Sequence, residues 1–465
     1  MQGLDARTSK TSKDNDRSGQ AILRSPGVQL DVALSRLKND YGARNPESAA
    51  LYEASCEFMP GGNTRSNLHV NPFPLTLASG DGATCRDADG HEYIDFIGNY
   101  SAALYGHGHP KLQAAMPHMS IQHQTLCGPS THEHALSSVL CSRFPSIQSI
   151  RFCHSGTEAN LMAIAAAKAF TGRSTILVFK RAYHGGVLAF GDEIKGSEPN
   201  LVPYKYVLAD YNDVAGSRSL IVENAHDLAA ILVEPMLGSG GCYLGSYEFL
   251  LMLREETHRV GAILVFDEVM TSRLSGGGIQ LRYGITPDLT TLGKYIGAGM
   301  PLGAFGGKSD VMALFDPRLP SSIVHPGTFN INPLALRLGY IGLTEIYTPD
   351  VAEHHNMFGD NLSSRLNAMT RQTCMWFSGL GSLMNVHFCD KQAGTIRESL
   401  DNDSDVLKEL LYFHLLEAGI YISKRGFITL SLAIGNDHKF EDALISAVQS
   451  FLDKYLSFIV VPRAS

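Results

Sequence analysis

The chain has 465 residues, with 38 lysines and arginines against 46 aspartates and glutamates, and a net charge of -8. This length exceeds one compact core and predicts at least two lobes. The acidic balance argues against a nucleic-acid partner, because binding a phosphate backbone needs a basic face. No apolar run reaches the roughly 18 residues needed to span a bilayer, so we expect no membrane partner.

The chain begins with a polar segment, MQGLDARTSKTSKDNDRSGQ, that contains acids as well as bases. This mixture is unlike a targeting peptide, and we predict a disordered arm over residues 1–28. The eight cysteines are scattered without a Cys-x-x-Cys pair. They indicate free thiols in a reducing compartment, so we predict a cytoplasmic protein.

After the arm, residues 29–110 predict an N-terminal helix and a β-meander that belong to a small domain. The helical pattern from Leu30 to Phe58 ends at Pro60-Gly61-Gly62. The next segment, PLTLASGDGATCRDADGHEYIDF, has short strand patterns separated by Gly-Asp-Gly and Asp-Ala-Asp-Gly turns.

Residues 111–345 predict a large α/β domain. SIRFCHSGTEANLMAIAAAKAFTGR reads as strand, turn and Ala-rich helix, while STILVFKRAYHG, LAAILVEPML and GAILVFDEV contain nearly continuous apolar runs. Such runs are typical of strands buried on both faces of a parallel sheet. Their alternation with helices predicts a doubly wound fold. Residues 346–465, with GSLMNVHF and FITLSLAI, predict a smaller C-terminal α+β domain.

Four polar clusters follow the apolar runs of the predicted sheet. They are Ser155-Gly156-Thr157, Tyr183-His184-Gly185, Glu234-Pro235 and Asp267-Glu268. Ligands of open α/β sheets lie beyond the carboxyl ends of the strands. We therefore expect the four clusters to meet in one cleft.

Two of these clusters have both a plain and a chemical interpretation. Ser155 or Thr157 is a suitable N-cap for the Ala-rich helix, whereas Gly156 at a helix N-terminus suits the approach of a phosphate. Asp267 ends a buried strand and so needs a cationic partner. Either Arg273 or a pyridinium N–H of a ligand would meet that need.

Lys294 lies between Gly293 and the glycines at positions 297 and 299, where the backbone is expected to approach another group closely. A lone lysine is most often a solvated surface residue. In a tight site, burial and nearby cations lower the pKa of a lysine, so that its amine can attack an aldehyde cofactor. Tyr183, just past a strand, is most simply a core residue, although its ring also suits stacking on an aromatic ligand.

Two other functions fit the sequence less well. AILVFDE resembles a Walker B strand and Gly306–Ser309 ends like a Walker A loop, but the glycine required five residues before the Gly-Lys pair is Leu302. A P-loop nucleotide hydrolase is therefore a remote alternative. Two His-x-His pairs, at 107–109 and 132–134, have no supporting ligand cluster, and no metal is predicted.

Six segments follow in the order found in class III pyridoxal-phosphate-dependent aminotransferases. They are RFCHSGTEANLMAIAAAKAFTGR, YHG, LVEPM, LVFDEVMTSR, DLTTLGKYIGAGMPLGAFGG and HPGTFNINPLA. Their order and spacing resemble the glutamate-1-semialdehyde aminomutase branch. MPGGNTRSNLHVNPFPLT, DADGHEYIDF, GSLMNVHF and FHLLEAGIYISKRGF are most similar to the β-phenylalanine (β-amino acid) aminotransferases. The resemblance covers roughly residues 45–455 and implies a fold-type I enzyme whose small domain comes from both chain ends.

The resemblance also implies a role for each matching residue. Lys294 matches the lysine that binds the aldehyde of pyridoxal 5′-phosphate and carries protons, and Asp267 matches the carboxylate paired with the pyridine N–H. The other implied cofactor contacts are Ser155, Gly156, Thr157, Tyr183, His184, Glu234, Val269 and Thr328. Thr328 matches a phosphate ligand from the neighbouring subunit, which implies a homodimer. Arg65 and Arg425 match substrate-binding arginines.

The function implied by the resemblance is transfer of an amino group from a β-amino acid similar to β-phenylalanine to a 2-oxo acid such as 2-oxoglutarate or pyruvate. A planar arginine fork suits the carboxylates of both substrates, although either arginine alone is more simply a surface ion pair. An aminomutase, which returns the amino group to the same skeleton, stays an alternative because both reactions share their first half.

Overall fold

The computed structural model describes residues 26–118, 127–192, 200–391, 396–435 and 437–460. The predicted disordered arm over residues 1–28 lies outside these ranges except for its last three residues. Those three begin the first helix, Pro26–Arg44, so the arm was predicted too long at its C-terminal end. A proline suits the first turn of a helix, because the N–H that it lacks has no partner there.

The helices and strands follow one another along the whole described chain. The strands are β1 (Leu77–Asp81), β2 (Thr84–Asp87), β3 (Glu92–Asp95), β4 (Ser149–Cys153), β5 (Thr175–Phe179), β6 (Lys205–Ala209), β7 (Leu228–Val233), β8 (Met236–Leu237), β9 (Tyr243–Leu244), β10 (Ile263–Asp267), β11 (Leu289–Leu292), β12 (Gly303–Gly307), β13 (Met375–Leu380), β14 (Leu383–Phe388), β15 (Ile420–Tyr421) and β16 (Phe427–Thr429). The helices are α1 (Pro26–Arg44), α2 (Pro46–Cys56), α3 (Gly98–Ser101), α4 (Pro110–Ala115), α5 (Thr131–Arg143), α6 (Gly156–Thr171), α7 (Val214–Glu223), α8 (Tyr247–Val260), α9 (Gly278–Tyr283), α10 (Ser309–Met312), α11 (Pro333–Ile341), α12 (Pro349–Met369), α13 (Ile396–Asp401), α14 (Asp405–Glu417), α15 (Leu432–Gly435) and α16 (His438–Ile459).

A seven-stranded sheet with the order β4-β12-β11-β10-β7-β5-β6 forms the centre of the molecule. Its strands are parallel except β12, which runs antiparallel to β4 and β11. The apolar runs predicted as strands became β5, β7 and β10, and each is buried along its whole length. The predicted doubly wound, mostly parallel sheet is confirmed.

Strand β12 has a glycine-rich sequence, GAFGG, that did not predict a strand. Its glycines are needed because the neighbouring backbones approach it closely from both sides. A Cβ on Gly303 would lie 2.2 Å from the Ser155 carbonyl oxygen, and one on Gly307 would lie 2.1 Å from that of Asp288. The pairing partners, rather than its own residues, make this segment a strand.

The two ends of the chain build a second region together, as the fold class predicted. The meander β1–β3 gains a fourth strand when β15 pairs in parallel with β3, through Ile94 and Ile420. Strands β13, β14 and β16 form a separate antiparallel sheet. One hydrophobic cluster joins residues between 34 and 96 with residues between 362 and 459. This packing supports a division near residues 110 and 345, whose boundaries stay predictions.

Two general properties of the chain bear on its location. None of the helices in the described ranges is long and apolar enough to cross a membrane. All eight cysteines are unpaired, in line with the free thiols expected from their spacing. The cytoplasmic location itself stays a prediction.

Candidate active site

Asp267, at the carboxyl end of β10, is the centre of a buried hydrogen-bond network. His184 Nδ1 lies 2.8 Å from Asp267 Oδ2, and Asn160 Nδ2 donates to the same oxygen over 2.7 Å. The N–H of Val269 donates to Oδ1 over 3.0 Å. Because a carboxylate can only accept, His184 Nδ1 must carry the proton. These donors stabilise a charge that is only 4% exposed.

Asn160 belongs to this network and was not predicted from the sequence. Its Nδ2 also donates to the His184 carbonyl over 2.9 Å, and its Oδ1 accepts from Thr291 Oγ1 over 2.7 Å. The only signal in the sequence was a polar residue on the face of α6 that also carries the buried alanines Ala159 and Ala163. A buried amide in such a position needs partners, and here they are the network around Asp267.

Glu234 forms hydrogen bonds with two loops, one at Tyr183 and one at Gly238. Its Oε1 accepts from the Tyr183 N–H and its Oε2 from the Gly238 N–H, both over 2.9 Å. Burial raises the pKa of Glu234 to about 7, because a charged carboxylate is poorly solvated there. Protonation of this group is therefore easier than protonation of an exposed glutamate.

Lys294 begins a 3₁₀ turn, Lys294–Gly297, just after β11. It is half-buried and its φ of 56° is left-handed, which is uncommon for a residue with a side chain. Burial lowers the pKa of Lys294 most, the charges of Asp267 and Glu234 raise it and Arg273 lowers it, and the net pKa is about 8. The amine is thus more readily neutral than that of an ordinary lysine.

The groups that the backbone approaches around Lys294 are Val269 and the start of α6. A Cβ on Gly293 would lie 3.2 Å from Val269 Cγ1 and 3.4 Å from the backbone nitrogen of Gly156, and one on Gly156 would lie 2.7 Å from Val269 Cγ2. Larger residues at positions 156 and 293 would push these segments apart.

The N-terminus of α6 packs against the same residues, because a Cβ on Gly156 would lie 2.7 Å from Val269 Cγ2. Ser155 Oγ accepts a hydrogen bond from the Glu158 N–H over 3.2 Å. Ser155 is therefore the N-cap of α6, as one of its two interpretations predicted. Thr157 contacts the turn that carries Tyr183 and His184, since a Cβ on Gly185 would lie 2.3 Å from Thr157 Oγ1. The first N–H groups of a helix lack intrahelical partners and favour an anion. The structure thus brings all four predicted clusters together.

Arg65 lies at the surface and contacts two consecutive residues, Asn99 and Tyr100. Its Nη1 donates to Asn99 Oδ1 over 2.7 Å, and its guanidinium lies 5.2 Å from the centre of the Tyr100 ring. The Tyr100 hydroxyl in turn lies 3.4 Å from Ser423 Oγ. Arg65 is therefore fixed by two contacts and connected to the segment that carries Arg425.

Arg425 is also exposed and is held more loosely. Its Nη2 donates to Ser239 Oγ over 3.4 Å, and Ser239 directly follows Gly238, which donates to Glu234. Arg425 lies between two strands, β15 and β16. Gly426 next to it has a φ of 87°, which favours glycine.

Thr328 occupies a different environment from the other predicted residues. It is exposed, next to the exposed Phe329, whose ring contacts that of His154 at 6.2 Å between centres. The single chain therefore shows Thr328 at the surface near the start of α6.

Neither a nucleotide hydrolase nor a metal enzyme finds support in the site. Gly306 and Gly307 lie inside β12, and Lys308 pairs with Asp288 over 2.6 Å instead of lining a phosphate loop. The P-loop interpretation was therefore wrong. Within the described ranges, no three His, Cys, Asp or Glu side chains are arranged to hold a metal ion.

The arrangement fits pyridoxal phosphate. Asp267 Oδ1 accepts one hydrogen bond, from the N–H of Val269, and can accept another. A protonated ring nitrogen could donate that second bond. The N-terminus of α6 can bind a phosphate through its free N–H groups. The amine of Lys294, with its lowered pKa, can react with an aldehyde.

Comparison with known proteins points the same way. The family described as "Aminotransferase class-III" matches residues 66–452. A β-phenylalanine transaminase from Variovorax paradoxus is 46% identical over 440 residues, which are 94% of this chain and 99% of that protein. A glutamate-1-semialdehyde 2,1-aminomutase from Thermodesulfovibrio yellowstonii is 32% identical over 409 residues, 83% of this chain and 95% of the relative.

A solved structure is similar over nearly the whole fold. The crystal structure of a β-phenylalanine aminotransferase from Variovorax paradoxus matches with a TM-score of 0.90 and 45% identity, covering 94% of this chain and 100% of the other. The family match spans most of the chain and includes the four polar clusters. The chain therefore belongs to the class III aminotransferases, the pyridoxal-phosphate-dependent transaminases of fold type I.

Proposed function

We propose that this transaminase takes its amino group from a β-amino acid of the β-phenylalanine type and passes it to a 2-oxo acid such as 2-oxoglutarate or pyruvate. The observation that carries the proposal is the pair of arginines, Arg65 and Arg425, joined through Tyr100 and Ser423 beside the site. The 46% identical relative named a β-phenylalanine transaminase supports it. The aminomutase alternative has the weaker support of a 32% identical relative.

In this proposal the two arginines bind different carboxylates. A β-amino acid places its carboxylate one carbon further from the amine than an α-amino acid does, so one fixed cation does not suit both. Arg65, fixed by Asn99 and Tyr100, binds the carboxylate of the β-amino acid. Arg425, held by one long bond to Ser239, moves to bind the α-carboxylate of the 2-oxo acid.

The cofactor contacts are assigned to the polar clusters. When bound, pyridoxal phosphate supplies an aldehyde for the substrate amine and a ring that takes up the electron pair left by the departing proton. Ser155, Gly156 and Thr157 bind its phosphate, and Val269 and Tyr183 pack on the two faces of its ring. Both assignments rest on the contacts of Gly156 with Val269 and of Thr157 with the Tyr183 turn.

Lys294 and Asp267 carry the chemistry in this proposal. Lys294 would hold the cofactor through its aldehyde, and its free Nζ amine would take the proton from the substrate carbon. Asp267 would bind the ring N–H, while His184 and Asn160 hold its carboxylate in a fixed orientation. Glu234 keeps the Tyr183 turn and the Gly238 loop in place.

The active unit in this proposal is a homodimer in which Thr328 binds the phosphate of the neighbouring site. The segment around Thr328 supports a contact with a second copy, because it also exposes Leu319, Val324 and Phe329. Exposed apolar side chains clustered on one segment are typical of an interface.

The division between the arginines predicts opposite effects in the two half-reactions. Arg65→Ala is expected to weaken the reaction with β-phenylalanine, and Arg425→Ala the reaction with 2-oxoglutarate. Loss of a charged hydrogen-bond partner costs about 1.5–3 kcal/mol, roughly tenfold to a hundredfold in affinity. Single-turnover absorbance of the cofactor measures each half-reaction separately. Equal damage to both half-reactions in both variants would contradict the division, and unchanged reactions would remove the β-amino acid assignment.

The lowered pKa of Lys294 predicts its reactivity in the cofactor-free protein. A lysine whose pKa falls to about 8 is half neutral at that pH, so trinitrobenzenesulfonate labelling of Lys294 should rise about tenfold per pH unit below 8 and level off above it. Mass spectrometry of the labelled peptide between pH 6 and 10 gives the midpoint, and Lys294→Ala gives the background. A midpoint near 10.5, the ordinary lysine value, would show that the site does not activate the amine.

Asp267→Asn is expected to bind cofactor but to lose most of the rate. An amide cannot stabilise a protonated ring nitrogen, and such losses of electrostatic stabilisation typically cost about 10²–10³ in kcat. Asp288→Asn is the matched control, because Asp288 is a buried carboxylate of the same sheet that binds the Leu264 N–H and Lys308 at the opposite end of β11. Near-normal turnover in Asp267→Asn would mean that Asp267 does not bind the ring nitrogen.

The shared site predicts complementation between two inactive variants. Hybrid dimers formed from Lys294→Ala and Thr328→Ala subunits contain one site with both intact residues, so part of the activity should return after mixing. Native mass spectrometry confirms that subunits have exchanged. Exchange without recovery would indicate sites that are complete within one subunit.

A further inference from the structure

The largest fully buried side chain of the described residues is a charged one, Arg273. It lies on the 3₁₀ turn Thr271–Leu274, shortly after Asp267, and is 1% exposed. Within the part of the chain that the structure describes, the polar groups that act on its guanidinium include no carboxylate. Burying a cation without an anionic partner costs free energy of folding. The neutral groups that bind Arg273 therefore call for a functional explanation.

The guanidinium donates to three groups from distant parts of the chain. Nη1 donates to the Ser101 carbonyl over 3.3 Å, Nη2 to the Leu430 carbonyl, and Nε to Ser382 Oγ over 3.1 Å. His355 Nε2 also lies 3.0 Å from the Leu430 carbonyl and 3.4 Å from Arg273 Nη2. Burial lowers the pKa of His355 to about 3, so the ring is neutral and donates its single N–H to that carbonyl alongside Arg273.

The first of these carbonyls ends the turn that supports Arg65. Residues 98–101 are four consecutive left-handed residues, with φ between 46° and 72°, a run that is costly for residues with side chains. The turn includes Asn99 and Tyr100, the two residues that hold Arg65. A bond from Arg273 to the last carbonyl of the turn stabilises this conformation.

The second carbonyl ends the segment that carries Arg425. Residues 425–430 run from Arg425 through β16 to Leu430, and the Phe427 ring stacks on that of Tyr100 with 6.0 Å between centres. One planar fork thus binds the ends of both segments. A lysine would place all its donors on one atom and cannot span the two carbonyls in the same way.

We propose that Arg273 is a positioning residue for substrate carboxylates: it holds the turn 98–101 and the segment 425–430 at a fixed separation, and thereby sets the distance between Arg65 and Arg425. Arg273 does not touch the substrate. The inference rests on the proposed carboxylate binding by Arg65 and Arg425.

Arg273→Lys in the cofactor-loaded enzyme tests the proposal. We expect KM to rise about tenfold for both β-phenylalanine and 2-oxoglutarate, the effect of one charged hydrogen bond, while kcat changes by less than about threefold. Calorimetric affinities for the unreactive carboxylates 3-phenylpropionate and glutarate should fall by the same factors. Arg143→Lys is the control, because Arg143 is a part-buried arginine that donates to the Tyr347 carbonyl over 2.6 Å and not to either segment.

The double variant Arg65→Ala/Arg273→Lys separates positioning from a general structural effect. If Arg273 acts through Arg65, adding Arg273→Lys to Arg65→Ala should weaken 3-phenylpropionate binding by much less than tenfold. Unchanged affinities in Arg273→Lys, or a loss of kcat alone, would overturn the proposal. If Arg273→Lys does not fold, Ser382→Ala, which removes only the acceptor of Nε, should lower both affinities in the same direction, and unchanged values there would overturn it equally.

The same binding measurements distinguish failure of the proposed function from failure of the positioning role of Arg273. If the proposed function fails, Arg65→Ala and Arg425→Ala would themselves leave both carboxylate affinities unchanged. If those two variants lower the affinities and Arg273→Lys and Ser382→Ala do not, only the positioning role of Arg273 fails.

Discussion

The buried carboxylate of Asp267 is the constraint on which the site depends. A charge at the end of a strand inside the protein needs hydrogen-bond donors, and the residues that follow Asp267 in the chain supply the N–H of Val269. The other donors come from α6, through Asn160, and from the turn after β5, through His184. The requirement to satisfy one carboxylate therefore fixes three segments at one end of the sheet.

Close backbone contact places the lysine beside that carboxylate. Gly156 and Gly293 leave room for Val269 between the start of α6 and the turn after β11. Lys294 then begins its turn in a left-handed conformation that the surrounding packing must stabilise. The same packing removes water from the amine, and this desolvation lowers its pKa more than the neighbouring carboxylates raise it.

A second buried charge, Arg273, connects this sheet to the region built from the two chain ends. Its partners lie near residue 101, in the turn of β13 and β14, and after β16. Neutral carbonyls stabilise a guanidinium less than a carboxylate does, but each fixes the position of its own segment. The turn that follows Asp267 and the segments that carry Arg65 and Arg425 thus share one connection through Arg273.

The sequence by itself predicted the strands β5, β7 and β10 at the centre of the sheet and the polar clusters that follow them. The apolar runs of β5, β7 and β10 can only be satisfied by burial on both faces, and a parallel sheet brings the polar residues after them to one edge. Tertiary structure decided the rest. GAFGG becomes β12 because its neighbours supply the pairing, FITLSLAI changes from strand to helix after Thr429, and Asn160 and Arg273 acquire partners more than 100 residues away in sequence. Such contacts depend on the distance between segments in space, which no local pattern of residues encodes.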